Sequence, residues 1–429
     1  MNDIYELCKG FTKKENVEFT YIDNYKESAS IFKYGLSKTN NLEGSGLLIR
    51  VLEKGQSGTT TITKITKENI IEGIKKAKRI AKLKNTVKIP DFGSHKTNKK
   101  IKTDKALFKL DLSEILPEIK QEITKEKHIK SYEGVITKIN SKDFYLNPYT
   151  STENHSSALN LSVMINTKDK KPSSAYFSQI FTKKEDIDVK LVFDQAKENA
   201  KILLNPVNGT KDKYTLIFTP EVLSELLGLI LAPATGDAIL KKQSYLLDQL
   251  NKQVFSKNLT ITEDPHLDYF LDSCFVDDEG IKTTKKEIIK DGVFKKIIYS
   301  QEKAIESKNK PTGNGFRGGL YSSVSSSFSN IIVAEGKEKI NDIIAKTKKG
   351  ILVYGLMGLH TSNTTTGEFS LVINQGKEII NGKLKNTITN LNFTGNCKES
   401  FKDLYFSKEQ RFFGASLVPF GVLENVKLI

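Results

Sequence analysis

Short apolar runs in the first half of the chain predict β-strands. β-branched and aromatic residues are frequent in these runs, and polar or turn-forming residues separate them. The runs are VEFTYI (17–22), SASIFKY (28–34), GLLIRV (46–51) and ALNLSVMI (158–165). This half therefore contains the strands of one sheet-bearing unit.

Apolar positions at helical spacing between these runs predict amphipathic helices. Thr66 can cap the first helix, and lysines cover its polar face. The residues in phase are Ile70, Ile74, Ala77 and Ala81 in the first helix and Leu112, Ile115, Ile119 and Ile123 in the second. Pro117 lies inside the second pattern, which predicts a kink or a later helix start. A third helix is predicted at 192–204, and the polar stretch 85–105 is predicted to be a linker or exposed loop.

A cluster of turn-forming residues, NPVNGTKDK (205–213), marks the boundary between two predicted domains. The second half is mostly strand-like, and it includes a hairpin with its turn at Asp291-Gly292. We therefore predict an α+β protein with a mixed α/β N-terminal domain at 1–205 and a β-rich C-terminal domain at 206–429.

A helix is predicted at 219–232, at the start of the second domain. Thr219 can cap it, Pro220 suits the first helical position, and Glu221 suits the positive end of the helix dipole. The following run, LLGLILAP (226–233), has no side chain that can donate a proton, bind a metal or attack a carbonyl. Because apolar residues cover all its sides, we expect the helix to be buried.

The net charge of +15 raises the question of an anionic partner such as nucleic acid. Only four of the 66 basic residues are arginine, which is the usual bidentate reader of bases and phosphates. The lysines are spread along the chain without interleaved aromatic residues. This pattern favours a solvated lysine-rich surface over a nucleic-acid interface.

The longest apolar run is far shorter than the ~20 residues that a membrane helix needs, so we expect no contact with membrane. The start, MNDIYELCKG, does not resemble a signal peptide. Cys8, Cys274 and Cys397 are scattered singly, which argues against a disulfide framework or a CxxC zinc site. We expect a cytoplasmic protein.

Two motifs have both a chemical and a structural interpretation. GNGFRG (313–318) matches GxGxxG, but no strand precedes it and no helix follows, which excludes a Rossmann fingerprint. DDEG (277–280) contains three carboxylates that can share protons or hold a cation. Neighbouring residues on a strand face opposite sides, so a turn is the favoured interpretation. None of the five histidines has the spacing of a metallopeptidase zinc site.

Several segments, in the same order, resemble the TldD/PmbA family, whose members are described as zinc metallopeptidases or their partners and as modulators of DNA gyrase. The resemblance covers nearly the whole chain. The segments include GSGLLIRV, KYTLIFTPEV, EDPHL, DDEGIKTTKKEIIKDGVFKKIIYS, PTGNGFRGG, TTTGEFSLVINQGK and GASLVPFGVLENVKL. The resemblance implies a two-domain fold and a dimer that encloses a cleft.

In the TldD branch of this family, the helix equivalent to 219–232 carries HExxxH, and a cysteine near the C-terminus completes the zinc site. The corresponding positions here are Gly228, Leu229, Pro233 and Phe413, none of which can bind zinc through its side chain. The resemblance is therefore to the PmbA/TldE branch, whose members lack the motif. It implies no catalytic residue, metal or other cofactor in this chain.

The resemblance implies a non-catalytic subunit of a zinc peptidase complex that degrades or matures unfolded peptides. The partner would be a TldD-like subunit that carries the zinc, and the isolated chain would form a homodimer. The candidate substrate-cleft residues are Gly313, Asn314, Gly315, Arg317, Met357 and Gly358. Two alternatives remain: an independent hydrolase that uses Asp277–Glu279, or a homodimeric scaffold that binds peptide or nucleic acid.

Overall fold

The computed structural model describes residues 1–83, 87–97, 99–168, 174–202 and 204–429, with the backbone alone at 37 and 38. Before residue 205, the described residues form helices and long strands that alternate in groups. In chain order these are α1 (Asn2–Glu15), β1 (Val17–Lys33), β2 (Gly35–Glu53), β3 (Gln56–Ile62), α2 (Lys67–Leu83), α3 (Lys105–Lys109), α4 (Leu116–Glu122), β4 (Ile129–Leu146), β5 (Ser151–Thr167), β6 (Ser174–Phe181) and α5 (Val189–Ile202).

The six strands form one antiparallel sheet in the order β3-β2-β1-β4-β5-β6. The helices pack on one face of this sheet, α2 against β2 and β3, and α5 against β5 and β6. The prediction of separate strands at 17–22 and 28–34 was wrong, because both lie in β1. The polar residues between them stay in the ladder, since β1 pairs with β2 and β4 along its whole length.

The predicted helices are confirmed with shifted ends. In α2 the predicted apolar face is buried, and the Thr66 hydroxyl accepts a hydrogen bond from the Asn69 N–H at 3.2 Å. Pro117 lies in the first turn of α4, behind a short 3-10 turn at Leu112–Glu114, so the later start is confirmed. The remaining predicted positions, Asn85, Thr86 and Asn98 of the linker and Leu203 of the third helix, lie outside the described residues.

After residue 205 the chain forms a second, larger sheet with short helices around it. The elements are β7 (Val207–Asn208), β8 (Lys213–Phe218), α6 (Pro220–Leu231), α7 (Gly236–Leu240), β9 (Ile261–Glu263), β10 (Lys286–Lys290), β11 (Val293–Phe294), α8 (Gln301–Glu306), β12 (Gly315–Arg317), β13 (Val324–Ser326), β14 (Ile331–Val333), α9 (Ile340–Lys346), β15 (Lys349–Met357), β16 (Glu368–Ile380), β17 (Lys383–Thr389), β18 (Leu391–Asn396), α10 (Cys397–Ser400), β19 (Tyr405–Phe412) and β20 (Ser416–Lys427).

The second sheet has the order β11-β10-β9-β14-β20-β8-β15-β16-β17-β7, with β18 beside β16 and β19 beside β20. The predicted hairpin is confirmed as β10–β11, and both Asp291 and Gly292 have positive φ in its turn. Each sheet has its own hydrophobic core. The molecule is therefore the α+β protein of two domains that the sequence predicts, and the boundary at 205/206 stays a prediction.

Helix α6 packs on β8, β15 and β20 in the core of the second domain. Pro220 lies in its first turn, and Thr219 holds the N-cap position without a side-chain capping bond. The expectation of burial on all sides was wrong for one stripe, because Glu225 and Gly228 are exposed. No described helix of the chain is long and apolar enough to cross a membrane.

We predict that Leu227→Asp lowers the free energy of unfolding by about 3–5 kcal/mol, because Leu227 is 4% exposed and the new carboxylate would have no partner. Gly228→Ala is the matched control on the exposed side, where a built Cβ meets nothing within 4 Å. The free energy of unfolding of that variant should rise by up to about 1 kcal/mol, because alanine has a higher helix propensity than glycine. Urea unfolding measures both, and equal stability of Leu227→Asp and the parent chain would contradict this packing of α6.

Candidate functional site

Two large cavities lie where residues of the first sheet face the second domain. The first, of about 910 Å³, is named the hairpin cavity after β12 and β13, which border it. Its lining combines lysines, acids, serines and aromatic rings. Its lining residues are Lys100–Thr103, Lys105, Asp143, Glu153–Ser156, Tyr269–Cys274, Asp278, Phe316–Gly318, Ser325 and Ser327–Ser329.

The second cavity, of about 930 Å³, is named the helix cavity because the exposed stripe of α6 forms one wall. Residues of β6 and α5 form the opposite wall. Its lining residues are Ser174, Tyr176–Ile180, Leu191, Gln195, Glu198, Asn199, Ile202, Thr219–Glu221, Ser224, Glu225, Ile340, Asn341, Ile344, Leu352, Tyr354, Gln375, Leu384, Glu409–Arg411, Phe413 and Phe420.

The four positions that the family resemblance aligns with the zinc site have different surroundings. Gly228 continues the exposed stripe of α6, and Phe413 borders the helix cavity. Leu229 and Pro233 are buried, and their carbonyls accept hydrogen bonds from Tyr245 Oη at 2.9 Å and Ser244 Oγ at 2.7 Å. A glycine, a leucine, a proline and a phenylalanine supply no side-chain ligand, so these residues do not fit zinc.

Acids and histidines elsewhere do not replace that site. Among the described residues, no group of three or more His, Cys, Asp and Glu side chains is arranged to hold a metal ion. Glu221, on the stripe of α6, forms an ion pair with Arg411. Burial raises the pKa of Glu225, the next acid on that stripe.

Arg411 connects three elements at the helix cavity, although sequence reasoning did not select it. Its guanidinium pairs with Glu221 of α6 and donates to the carbonyl of Ser178 in β6. It also lies 4.0 Å from the ring centre of Phe177 and 5.2 Å from that of Phe413. Burial lowers the pKa of Arg411 to about 10. Arg411 therefore fixes the width of the cavity between α6 and the edge strand β6.

Strand β6 is the edge of the first sheet, and its outer side faces the helix cavity. On this outer side, three of its carbonyls accept hydrogen bonds from side chains. The donors are Gln375 to Ser174 O, Asn199 to Tyr176 O and Arg411 to Ser178 O. An extended chain that pairs on this edge has to displace these side-chain donors.

The acidic segment 277–280 forms a turn, as the favoured interpretation predicted. Gly280 has a φ of 75°, and its N–H donates to the Asp277 carbonyl at 3.0 Å. The Asp277 carboxylate accepts from the N–H groups of Glu279 at 3.0 Å, Ile281 at 2.9 Å and Gly315 at 2.8 Å. Burial and the Glu279 charge raise the pKa of Asp277 well above its usual range. Its hydrogen bonds are thus used to hold the turn.

Glu279 leaves this turn and forms a buried ion pair with the first domain. Its carboxylate lies 3.2 Å from Arg50 Nη1, and Arg50 Nη2 lies 2.8 Å from Glu18. All three side chains are at most 3% exposed. Burial acts to lower the pKa of Arg50, but the charges of Glu18 and Glu279 outweigh it and raise that pKa. Sequence reasoning missed this pair because 229 positions separate its members.

The first two glycines of GNGFRG, Gly313 and Gly315, are required by close packing, whereas a Cβ on Gly318 would meet nothing closer than 3.5 Å. A Cβ on Gly313, whose φ is 71°, would collide with the Lys282 carbonyl, and one on Gly315 would collide with the Glu279 carboxylate. Asn314 is fully buried, and its amide donates to Glu263 Oε1 at 2.6 Å. These three residues support the wall of the hairpin cavity from behind.

Of the six predicted cleft residues, Arg317 alone borders a cavity. Its backbone N–H donates to the Asp278 carboxylate at 2.8 Å, and Nη1 donates to the Ser322 carbonyl at 3.2 Å. Met357 is 58% exposed at the end of β15, and Gly358, with a φ of 99°, starts the 3-10 turn that follows. Neither of them borders the two cavities. Their role as substrate contacts stays a prediction.

Comparison with known proteins assigns the chain to one family. The family model described as the PmbA/TldA metallopeptidase C-terminal domain matches residues 211–429. An uncharacterised protein of Methanocaldococcus jannaschii is 32% identical over 226 residues, 52% of this chain and 52% of that protein. Metalloprotease PmbA of Escherichia coli O157:H7 is 29% identical over 201 residues, 47% of this chain and 42% of that protein. The matched segment thus spans about half the length of these relatives.

A solved structure shows that the likeness of fold extends over the whole chain. TldE from Thermococcus kodakarensis superposes with a TM-score of 0.88 at 22% identity, over 98% of this chain and 99% of that one. The superposition therefore shows a shared fold over both domains. This chain belongs to the PmbA/TldD metallopeptidase family.

We predict that Arg50→Met lowers the free energy of unfolding by about 3–5 kcal/mol, because it leaves the buried carboxylates of Glu18 and Glu279 without a cation. Lys102→Ala is the control, since Lys102 pairs with Asp268 across the same boundary at 3.1 Å but is 71% exposed. Lys102→Ala should lower the free energy of unfolding far less, because an exposed ion pair contributes little to stability. If chemical denaturation gave similar decreases in the free energy of unfolding for the two variants, the central role of Arg50 would be refuted.

A pH prediction follows from Asp143, which borders the hairpin cavity. Burial raises the pKa of Asp143 to about 6, and the Asp278 charge adds to the rise. A hydrogen bond from Asn154 at 3.0 Å acts in the opposite direction and lowers this pKa. The folded state therefore holds this proton more tightly than the unfolded state does. Its contribution to stability is full below about pH 4 and is lost as the pH rises through 6.

Asp143→Asn should thus become more stable relative to the parent chain between pH 4 and pH 7, by up to about 3 kcal/mol. Unfolding free energies measured across this range provide the test. Glu335→Gln, at an exposed acid outside both cavities, gives the baseline for the removal of one carboxylate. If the difference in unfolding free energy between Asp143→Asn and the parent chain stayed constant from pH 4 to pH 7, the prediction would be contradicted.

Proposed function

We propose that this chain is a non-catalytic, TldE-like subunit of a zinc-dependent peptidase complex that degrades or matures unfolded peptides. One observation carries the proposal. The helix that holds the zinc motif in the TldD branch has here Gly228, Leu229 and Pro233 at the ligand positions, and Phe413 replaces the expected cysteine. Hydrolysis at a zinc centre needs nitrogen, oxygen or sulfur ligands, which these residues lack.

In this proposal the partner is a TldD-like subunit that supplies the zinc, the attacking water and the glutamate base. This chain supplies one wall of the cleft and keeps solvent away from the peptide. We expect an extended peptide to pair along the outer edge of β6, where its N–H groups would replace the side-chain donors to Ser174, Tyr176 and Ser178. Main-chain hydrogen bonds of this kind give affinity with little sequence preference. The fold likeness to TldE and the metalloprotease relatives support the assignment.

The alternative of an independent hydrolase at Asp277–Glu279 has less support. Asp277 is held by three backbone N–H groups, and Glu279 is held by Arg50 and the N–H of Gln301. Asp278 accepts from the N–H of Arg317. Acids engaged in this way hold a turn and a domain contact.

The test is peptide cleavage by the purified chain, by its HExxxH-bearing partner and by their mixture. Neither protein alone should degrade an unfolded peptide efficiently, the mixture should do so, and a chelator should abolish the joint activity. The purified chain should hold no stoichiometric zinc after dialysis against trace zinc. A tightly held zinc in this chain, full activity of the partner alone, or no complex in size-exclusion chromatography would each refute the proposal.

A further inference from the structure

The helix cavity is acidic although the protein is strongly basic. Its lining contains the acids Glu198, Glu221, Glu225 and Glu409 and the single base Arg411. The whole chain has a net charge of +15, and yet no lysine is found among the described residues that line this cavity. The hairpin cavity differs, since lysines and acids both border it. The charge of the helix cavity is therefore opposite to that of the surface around it.

Two of these acids are engaged within the protein, and two are available. Glu221 pairs with Arg411, and Glu409 accepts a hydrogen bond from the N–H of Ile340 at 2.9 Å. Glu225 has no ion-pair partner among the described residues. Burial raises its pKa, as expected for a carboxylate without a nearby cation.

Glu198 is the second available acid. Its contact with Lys201 is 3.9 Å long, and both side chains are more than 60% exposed. An exposed ion pair with this separation contributes little to stability. Glu198 and Glu225 therefore both remain free to receive a cation.

Apolar side chains that are unusually exposed border the same cavity. Tyr176 is 59% exposed, Leu191 is 45% exposed and Leu384 is 42% exposed. Exposed apolar groups grouped around a concavity are typical of a binding surface. A ligand that suits this wall has an apolar part as well as a positive charge.

We infer that the helix cavity selects segments of unfolded peptide in which an apolar residue is followed by lysine or arginine. This inference rests on the proposed function for the choice of a peptide as ligand. The apolar side chain packs against Tyr176 and Leu384, and the cation lies against the carboxylates of Glu198 and Glu225. The cavity disfavours acidic peptides by repulsion from the same carboxylates.

The test measures peptide binding to the isolated full chain by fluorescence anisotropy. The probes are fluorescein-labelled Gly/Ser peptides that carry one Leu–Lys, Leu–norleucine, Leu–Glu or Gly–Lys pair. Leu–Lys should bind most tightly, and Leu–Glu should bind about tenfold more weakly at low salt, with a smaller gap at high salt. The basic charge of the whole chain alone would give the opposite order, since it attracts the Leu–Glu peptide.

Variants assign the preference to this cavity. Glu198→Gln combined with Glu225→Gln should remove the preference for lysine over norleucine, whereas Glu335→Gln, at an exposed acid outside the cavity, should keep it. Leu384→Ser should weaken binding of the Leu–Lys peptide and leave binding of the Gly–Lys peptide nearly unchanged. The double variant removes charge at partly exposed positions, so circular dichroism and melting curves should match the parent chain.

Equal binding of the four peptides, no binding of any of them, or an unchanged preference in the double variant would overturn the inference. Self-association that Leu384→Ser abolishes and that peptides do not disturb would show that a second copy of this chain covers the groove instead. These results are independent of the proposed complex. Failure to find a zinc-bearing partner would refute the proposed function and leave the peptide preference of the isolated chain standing.

Discussion

The structure depends on one buried cation shared by two domains. Arg50 lies on the face of the first sheet opposite the helices, and it pairs with Glu18 on the neighbouring strand and with Glu279 of the second domain. Glu18 neutralises this guanidinium within the first domain, and Glu279 adds a second buried carboxylate whose ion pair with Arg50 forms only when both domains are in place. The Tyr145 hydroxyl, which donates to Glu18 at 2.6 Å, fixes the geometry further. Asp278, which lines the hairpin cavity, lies in the same turn as Glu279, so this contact positions one wall of that cavity.

The sequence predicted the parts of the fold that local patterns determine. The apolar face of α2, the turn at Asp291-Gly292 and the turn at Asp277–Gly280 all follow from residues a few positions apart. The length of β1 could not be predicted, because its polar middle is held by ladders to two distant strands. Local composition carries no information about such partners.

The candidate site likewise has features that the sequence predicts and features that it does not. The absence of ligands at Gly228, Leu229, Pro233 and Phe413 is visible in the sequence once the family is recognised. The sequence does not show that one stripe of α6 is exposed. The positions of β6 and α5 decide which side of the helix faces the cavity, and the residues of the helix do not. Arg411 was missed for that reason: its partners, Glu221 and Ser178, are remote in sequence and come from two domains.

Gly228, Leu229 and Pro233, on and just after α6, also differ in how easily their side chains could be exchanged. Gly228 faces open space, so many residues are tolerated there at little energetic cost. Leu229 is in the core, and Pro233 fixes the 3-10 turn at Ala232–Ala234 that follows the helix. A polar residue at either place would have to be introduced together with changes in the packing around it. A change of chemistry along this helix would therefore need several coordinated substitutions, whereas Gly228 can vary on its own.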